Sequence, residues 1–391
     1  MHFVAFFFCG FASAIANRTT DPLTVEIATD LGVPVSSVAL LASVLAFMYA
    51  AGQPVIGPAG DHFGKARILK IAMWVAGLSV LASAFAPNFQ VLMALRPITG
   101  LASGGIVPIG MAMIGDLYPA KGRQVALARF IMSAIIGQMA GALLAGSLAA
   151  WIGWRGVMLV CAAIVLTAAL ATTLLLPSTP ARKDSHFNIA TMRANYAKVL
   201  ASPRARVCFS SPFIIGGLTF GLLPFIAAIL ESQGNGGARE AGFIIAGFGG
   251  GALLLAAGLP FVLRYVKRPA MIVIGSIVAA ASLAAYALGL HWSVQIVLLT
   301  VFGFGFFMQH NSIQAEVSEL APDARATAYS MHSSAMFLGQ ALGPAIYGVE
   351  IATLGAPATL MANALVILVA GILIGRYFLH QHRRFGSGGI S

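Results

Sequence analysis

Hydrophobic residues in this chain run in long unbroken blocks, without the alternation of a half-buried strand or the single stripe of a surface helix. The block 156–176, for example, carries no charged side chain. A helix needs about 20 residues to cross the hydrocarbon layer of a bilayer. Blocks of that size, bounded by charge, Pro or Gly, predict membrane spans at 2–24, 37–58, 68–86, 89–115, 124–147 and 156–177. Six more follow at 206–230, 240–263, 270–289, 293–315, 326–350 and 356–379. A membrane barrel is excluded by the same pattern, because its strands alternate between lipid and a polar lumen. Residues 178–205 form the one long polar stretch and separate two groups of six. The predicted fold is an all-α membrane protein of twelve transmembrane helices in two pseudo-symmetric six-helix bundles. The bundles occupy 1–177 and 206–379, joined by a cytoplasmic linker at 178–205 and followed by a cytoplasmic tail at 380–391.

Composition agrees. With 59% hydrophobic and 9% charged residues over 391 positions, and a mean hydropathy of +0.89, the chain lacks the polar groups to coat a water-soluble surface. A net charge of +11 would point to nucleic acid in a soluble protein, but here its placement explains it. With the first loop outside, 18 of the 23 Lys and Arg residues fall on the inner loops, the tail and the adjoining helix ends. Arg18, Arg155 and Arg239 fall outside, and Arg96 and Arg129 lie within spans. That asymmetry places both termini in the cytoplasm. Cys9, Cys161 and Cys208 all sit in apolar runs, which fits lone buried thiols and no metal or redox centre. No P-loop or dinucleotide fingerprint occurs, so no cofactor, no ATP-driven step and no enzyme activity is expected. The opening apolar core, with small residues at Ala12 and Ala14, has the outline of a secretory signal. No basic residue precedes it, and its removal would leave one bundle a helix short, so it is read as the first span. Asn17-Arg18-Thr19 matches a glycosylation triplet, but inside a helix it is out of reach.

The chain also repeats itself. Shifted by 202 residues, 122–146 falls on 324–348 with matches at Arg123/Arg325, Ala126/Ala328, Gly137/Gly339, Gln138/Gln340, Gly141/Gly343 and Gly146/Gly348. A neighbouring offset pairs Asp116-Leu-Tyr-Pro with Glu319-Leu-Ala-Pro. Two similar halves are the pattern expected when a substrate binds at the midplane between bundles that rock.

The loop after the second span reads Gly57-Pro-Ala-Gly60-Asp61-His62-Phe63-Gly64-Lys65-Ala66-Arg67. It resembles the cytoplasmic signature loop of the major facilitator superfamily, G-x-L-A-D-R-x-G-R-R/K, with Ala59, His62 and Ala66 as departures. Arg96-Pro-Ile-Thr-Gly100 resembles the superfamily's R-x-x-x-G pattern in the same helix. Gly137-Gln138-Met-Ala-Gly141-Ala142-Leu-Leu-Ala145-Gly146 resembles G-x-x-x-G-P-x-x-G-G of the drug/proton antiporter branch, without its Pro and penultimate Gly, whereas the second half keeps Gly343-Pro344. The end of the first span and the Gly-Trp154-Arg155 turn are also similar to bacterial drug and sugar-efflux permeases. The resemblance implies a secondary transporter of the bacterial inner membrane, a monomer working with a small-molecule substrate, protons and membrane lipid. It further implies a conformational latch made of Gly57, Asp61, Gly64, Lys65, Arg67 and Asp116. The matching segment at 258–268 keeps the bases but lacks the acid, so the latch is expected on one side alone.

Charges inside the membrane mark the site. A guanidinium in hydrocarbon costs at least about 2.5 kcal/mol, so an Arg deep in a span faces a wet cavity or an acid. Arg96 sits roughly 10 Å from the outer end of its helix, at about 1.5 Å per residue. Arg18 and Asp21, three residues apart, share a helical face at similar depth. Two arginines with one carboxylate leave a positive pocket for a substrate carboxylate or phosphate. The substrate-binding set is therefore Asn17, Arg18, Asp21 and Arg96, joined by His310, Asn311, Gln314 and His332 from the second half. Asp21, His310 and His332 are the proton-coupling candidates. The leading reading is proton-coupled alternating access, with efflux by antiport. An organic-anion carrier using Arg18 and Arg96 without proton flux is the alternative. A non-transporting sensor, from another class, would need an output domain that the short tail after Phe378 does not supply.

Overall fold

The computed structural model of the chain describes residues 2–176, 189–321 and 324–385. Its first half consists of α1 (His2–Arg18), α2 (Thr24–Leu31), α3 (Val35–Phe63), α4 (Lys65–Ala84), α5 (Phe89–Leu117) and α6 (Ala120–Leu175). A helix α7 (Ile189–Ala201) precedes the second half, and residues 177–188 of the expected linker lie outside the described residues. The second half consists of α8 (Ala205–Leu222), α9 (Ile226–Ser232), α10 (Ala238–Tyr265), α11 (Arg268–Tyr286), α12 (Trp292–Ser318), α13 (Arg325–Leu354) and α14 (Ala356–Phe385).

Ten helical stretches among the described residues are long and apolar enough to cross a membrane. Two features turn ten into twelve crossings. The stretch Gly122–Leu175 is 54 residues long, over twice the bilayer requirement, and Gly153 interrupts it with φ 65° and ψ 169°. That left-handed backbone suits glycine, and it folds α6 back on itself as two crossings. The first crossing, in turn, is split into two short helices. The helix expected over 2–24 stops at Arg18, and Asp21–Leu23 forms a 3-10 turn around Pro22 before α2 continues. The second half has the same device, a 3-10 turn at Leu223–Phe225 around Pro224 between α8 and α9. Proline lacks the N–H that would continue the helical ladder. Pro22 and Pro224 are separated by the repeat offset of 202.

Apolar tails of lipid give helices no hydrophobic reason to associate, so close packing has to come from small residues. A Cβ built on Gly141 of α6 would lie 3.1 Å from the Ile15 backbone of α1. Its repeat counterpart Gly343 of α13 packs on Gly217 and Gly221 of α8, where a Cβ on Gly221 would lie 2.6 Å from the Gly343 carbonyl carbon. The α1–α6 and α8–α13 pairs are thus the same packing made twice. Buried apolar side chains gather in two main clusters, one for each half. The halves meet along α3 with α13 and along α6 with α10.

Candidate functional site

Arg18 ends α1, and the 3-10 turn that follows brings Asp21 back towards it. Arg18 Nη1 donates to Asp21 Oδ2 at 3.2 Å, while Nε donates to Gln138 Oε1 at 3.3 Å and Nη2 to Gln340 Oε1 at 3.2 Å. Gln138 and Gln340 are repeat partners, so the two halves hold one guanidinium between equivalent side chains. The guanidinium carbon also lies 4.5 Å from the ring centroid of Phe220, which occupies the repeat position of Arg18 itself. Arg18 therefore stands close to the pseudo-twofold axis. It lines a narrow midplane gap with Gln138, Met139, Phe248, Gly249 and Phe307. The gap, about 20 Å³, has room for little more than one water.

Arg96 stands behind this group. It is 1% exposed, within electrostatic reach of Asp21 and Cys161, and its Nε and Nη2 find no hydrogen-bond partner. Asp21 is equally buried, with Oδ1 unpartnered, as is Asn17 Oδ1. Of these residues Arg18 alone lines the gap; Asp21 is bonded to it and, like Arg96 behind, is absent from the residues lining the gap. In the second half, the His310 and His332 rings lie 5.2 Å apart, His310 stacks on Phe306, and His332 Nδ1 lies 3.2 Å from the Cys208 carbonyl. Asn311 is exposed and Gln314 half-buried on the following turn of α12.

Aromatic rings connect the two regions. Phe220 meets Phe248 and Phe306 edge-on at 5.6 and 5.5 Å, and Phe248 meets Phe307 at 5.4 Å. These rings pack around the arginine.

On the face carrying the Gly32 turn, the halves close tightly. A Cβ on Gly242 of α10 would lie 2.6 Å from the Ala142 carbonyl of α6, and Thr24 Oγ1 donates to the Pro224 carbonyl at 2.7 Å. Outside this closure lies a cavity of about 880 Å³, lined by Glu26, Asp30, Glu231, Glu240, Arg155 and Arg239 among others. Asp30 accepts from Arg155 and from Trp154 Nε1, and these bonds hold its carboxyl below the ordinary range. Glu26 accepts from the Trp154 backbone N–H at 3.1 Å. On the linkage rule, the Asp30 clasp contributes at neutral pH and fades as pH falls through its lowered value.

On the opposite face, Lys65 Nζ meets Asp116 Oδ2 at 2.7 Å, so Lys65 rather than Arg67 takes this acid. Gly57 and Asp61 fall within α3, but the surroundings of Gly57 and the Asp61 side chain lie outside the described residues. The Lys65–Asp116 bridge joins α4 to α5 inside one half, and the second half makes a like bridge, Arg268 to Glu319 at 3.1 Å between α11 and α12. The second half thus keeps the counterpart of Asp116, whereas the position matching Asp61 is Val262. Reading also missed Glu316, 1% exposed, held by Arg204 at 3.7 Å and His382 at 2.9 Å.

The Major Facilitator Superfamily model matches residues 6–344, most of the chain. The chain belongs to that superfamily. This facilitator is 27% identical over 356 residues to the uncharacterized MFS-type transporter YybF of Bacillus subtilis (strain 168), covering 88% of this chain and 85% of the relative. It is 24% identical over 352 residues to a chloramphenicol resistance protein of Streptomyces lividans, covering 89% and 88%. A bacterial homolog of the human lysosomal transporter Spinster, solved inward-facing and unoccupied, superposes with a TM-score of 0.77 over 97% of each chain. At 17% identity that likeness speaks for the fold. The facilitator is thus a multi-pass membrane transporter of small molecules working by alternating access, and not an enzyme.

Gln138 and Gln340 were absent from the expected site. Their signal in the sequence is a polar coincidence at the same position of both repeats inside apolar helices.

Proposed function

We propose that this facilitator carries a small organic anion across the bacterial inner membrane, both termini cytoplasmic, and that its cycle is linked to protons through Asp21. The observation that carries the reading is Arg18, held at the pseudo-axis by one glutamine from each half and by Asp21. Neutralising Asp21 by a proton leaves the positive charge of Arg18 uncompensated and so favours an anionic solute on the guanidinium, and the proton and the anion favour each other's binding. Rocking of the halves about this point then exposes both to the other side. The Lys and Arg asymmetry of the loops supports the orientation. A second reading, export in exchange for protons, is favoured by likeness to the chloramphenicol resistance protein.

The test is uptake into proteoliposomes containing a pH-sensitive dye. Addition of a transported anion should move protons in the same direction in the wild type, and Asp21→Asn should retain solute flux while losing the pH signal. A pH signal of opposite sign favours export by exchange. An undiminished signal in Asp21→Asn removes Asp21 from coupling, and no proton movement with any transported anion leaves a simple anion carrier.

A further inference from the structure

The two glutamines on Arg18 occupy a particular edge. Nε and Nη2 point the same way on a guanidinium and form the side-on fork that matches the two oxygens of a carboxylate. Here the fork is filled by the amide carbonyls of Gln138 and Gln340, at 3.3 and 3.2 Å. Two neutral carbonyls thus stand where a carboxylate would gain charge assistance from both donors at once. Resting on the anion-carrier reading above, the surroundings narrow the class further. The gap beside the fork has Phe248 and Phe307 on its wall, with Phe220 and Phe306 in edge contact behind them. One flexible side chain fills it. Met139 lies in the groove over Gly249, where a Cβ would strike the Met139 chain, and its Cε reaches 4.0 Å from the Cβ position of Gly250. A methionine is unbranched and withdraws easily, and the slot it vacates is lined by the Phe248 and Phe307 rings together with Ile135, Leu223 and Ile245.

We propose that the midplane site takes an aromatic carboxylate: the carboxylate displaces Gln138 and Gln340 from the Nε/Nη2 fork of Arg18, and the ring enters the slot that Met139 fills between Gly249 and Phe248/Phe307. Aromatic rings in this cage gain from edge-to-face contact beyond simple burial. Displacement also has a mechanical consequence. The Arg18–Gln340 bond crosses between the halves, so the solute breaks a tie between them as it binds.

The test uses the purified full chain and four probes: benzoate, benzamide, cyclohexanecarboxylate and acetate, with affinity measured by calorimetry. Benzoate should bind, benzamide should bind about tenfold more weakly or worse for want of the charged acceptor, and cyclohexanecarboxylate about 2- to 12-fold more weakly for want of the ring. Arg18→Lys, which keeps the charge but not the fork, should weaken benzoate about tenfold or more. Phe307→Leu should shrink the preference for benzoate over cyclohexanecarboxylate, since one of the two rings on the slot is lost, and an undiminished preference overturns the ring contact. Equal binding of benzamide overturns the carboxylate fork, and equal binding of cyclohexanecarboxylate overturns the aromatic slot. No binding by any carboxylate overturns both. Spin labels across the Gly32-side closure, at Ser36→Cys and Val349→Cys, separate that outcome from failure of the transport reading. Two distance populations without benzoate binding leave a transporter of another solute, whereas a single fixed distance together with absent flux takes the transport reading down as well.

Discussion

Asp21 faces two arginines, the part-buried Arg18 by a direct bond at 3.2 Å and the buried Arg96 at longer range. Removing one partner of a buried charge group costs about 3–5 kcal/mol, because the charge left behind is uncompensated. Asp21→Asn is therefore expected to lower the melting temperature in detergent more than Arg96→Met, which removes a guanidinium whose Nε and Nη2 are already unsatisfied. The reverse order would mean that Arg96, not Asp21, balances the cluster. Sequence placed Arg18, Asp21 and Arg96 at one depth, because a charge in an apolar run announces itself. It did not reveal that Arg96 stands behind Asp21, since depth along a helix says nothing about which way the side chain turns.

At the scale of elements, small residues decide where helices touch. Gly343→Val forces a branched side chain into the backbone of α8, and overpacking of this kind costs about 1–3 kcal/mol. Gly115 of α5 faces open space, with nothing within 4 Å of its Cβ position, so Gly115→Ala should be neutral or stabilise by up to about 1 kcal/mol through helix propensity. Thermal melts of the two variants check the pair, and equal effects would mean that α8 and α13 are free to separate. The repeat in sequence already marked Gly141 and Gly343 as equivalent. The 3-10 turns at Pro22 and Pro224 were not anticipated as paired breaks, because each proline sits inside a run whose hydropathy continues on both sides.

The whole molecule closes on the Gly32 side through backbone contact between Gly146 and Gly242, one from each half. Gly242→Leu should wedge that closure open. A reporter thiol at Ala149→Cys, buried beside the 880 Å³ cavity, should then react with a water-soluble maleimide about tenfold faster or more, by population-shift arithmetic. An unchanged rate would mean that the closure does not govern access from that side. The charge bridges on the opposite face tell a complementary story. Lys65–Asp116 and Arg268–Glu319 each brace one half internally, so they stiffen the bodies that move.

Sequence alone determined that the chain crosses a membrane many times, that it does so in two like halves, and that charged residues lie inside its first span. Each of these is written in composition, period or repetition, which are properties of the chain in order. Tertiary structure decided what no linear order carries: that two glutamines 202 positions apart converge on one arginine, that Phe220 lies under it, and that a methionine fills the slot beside it. Those contacts arise where the two bundles face each other, and their geometry is set by how the helices pack, which periodicity within a single helix does not encode.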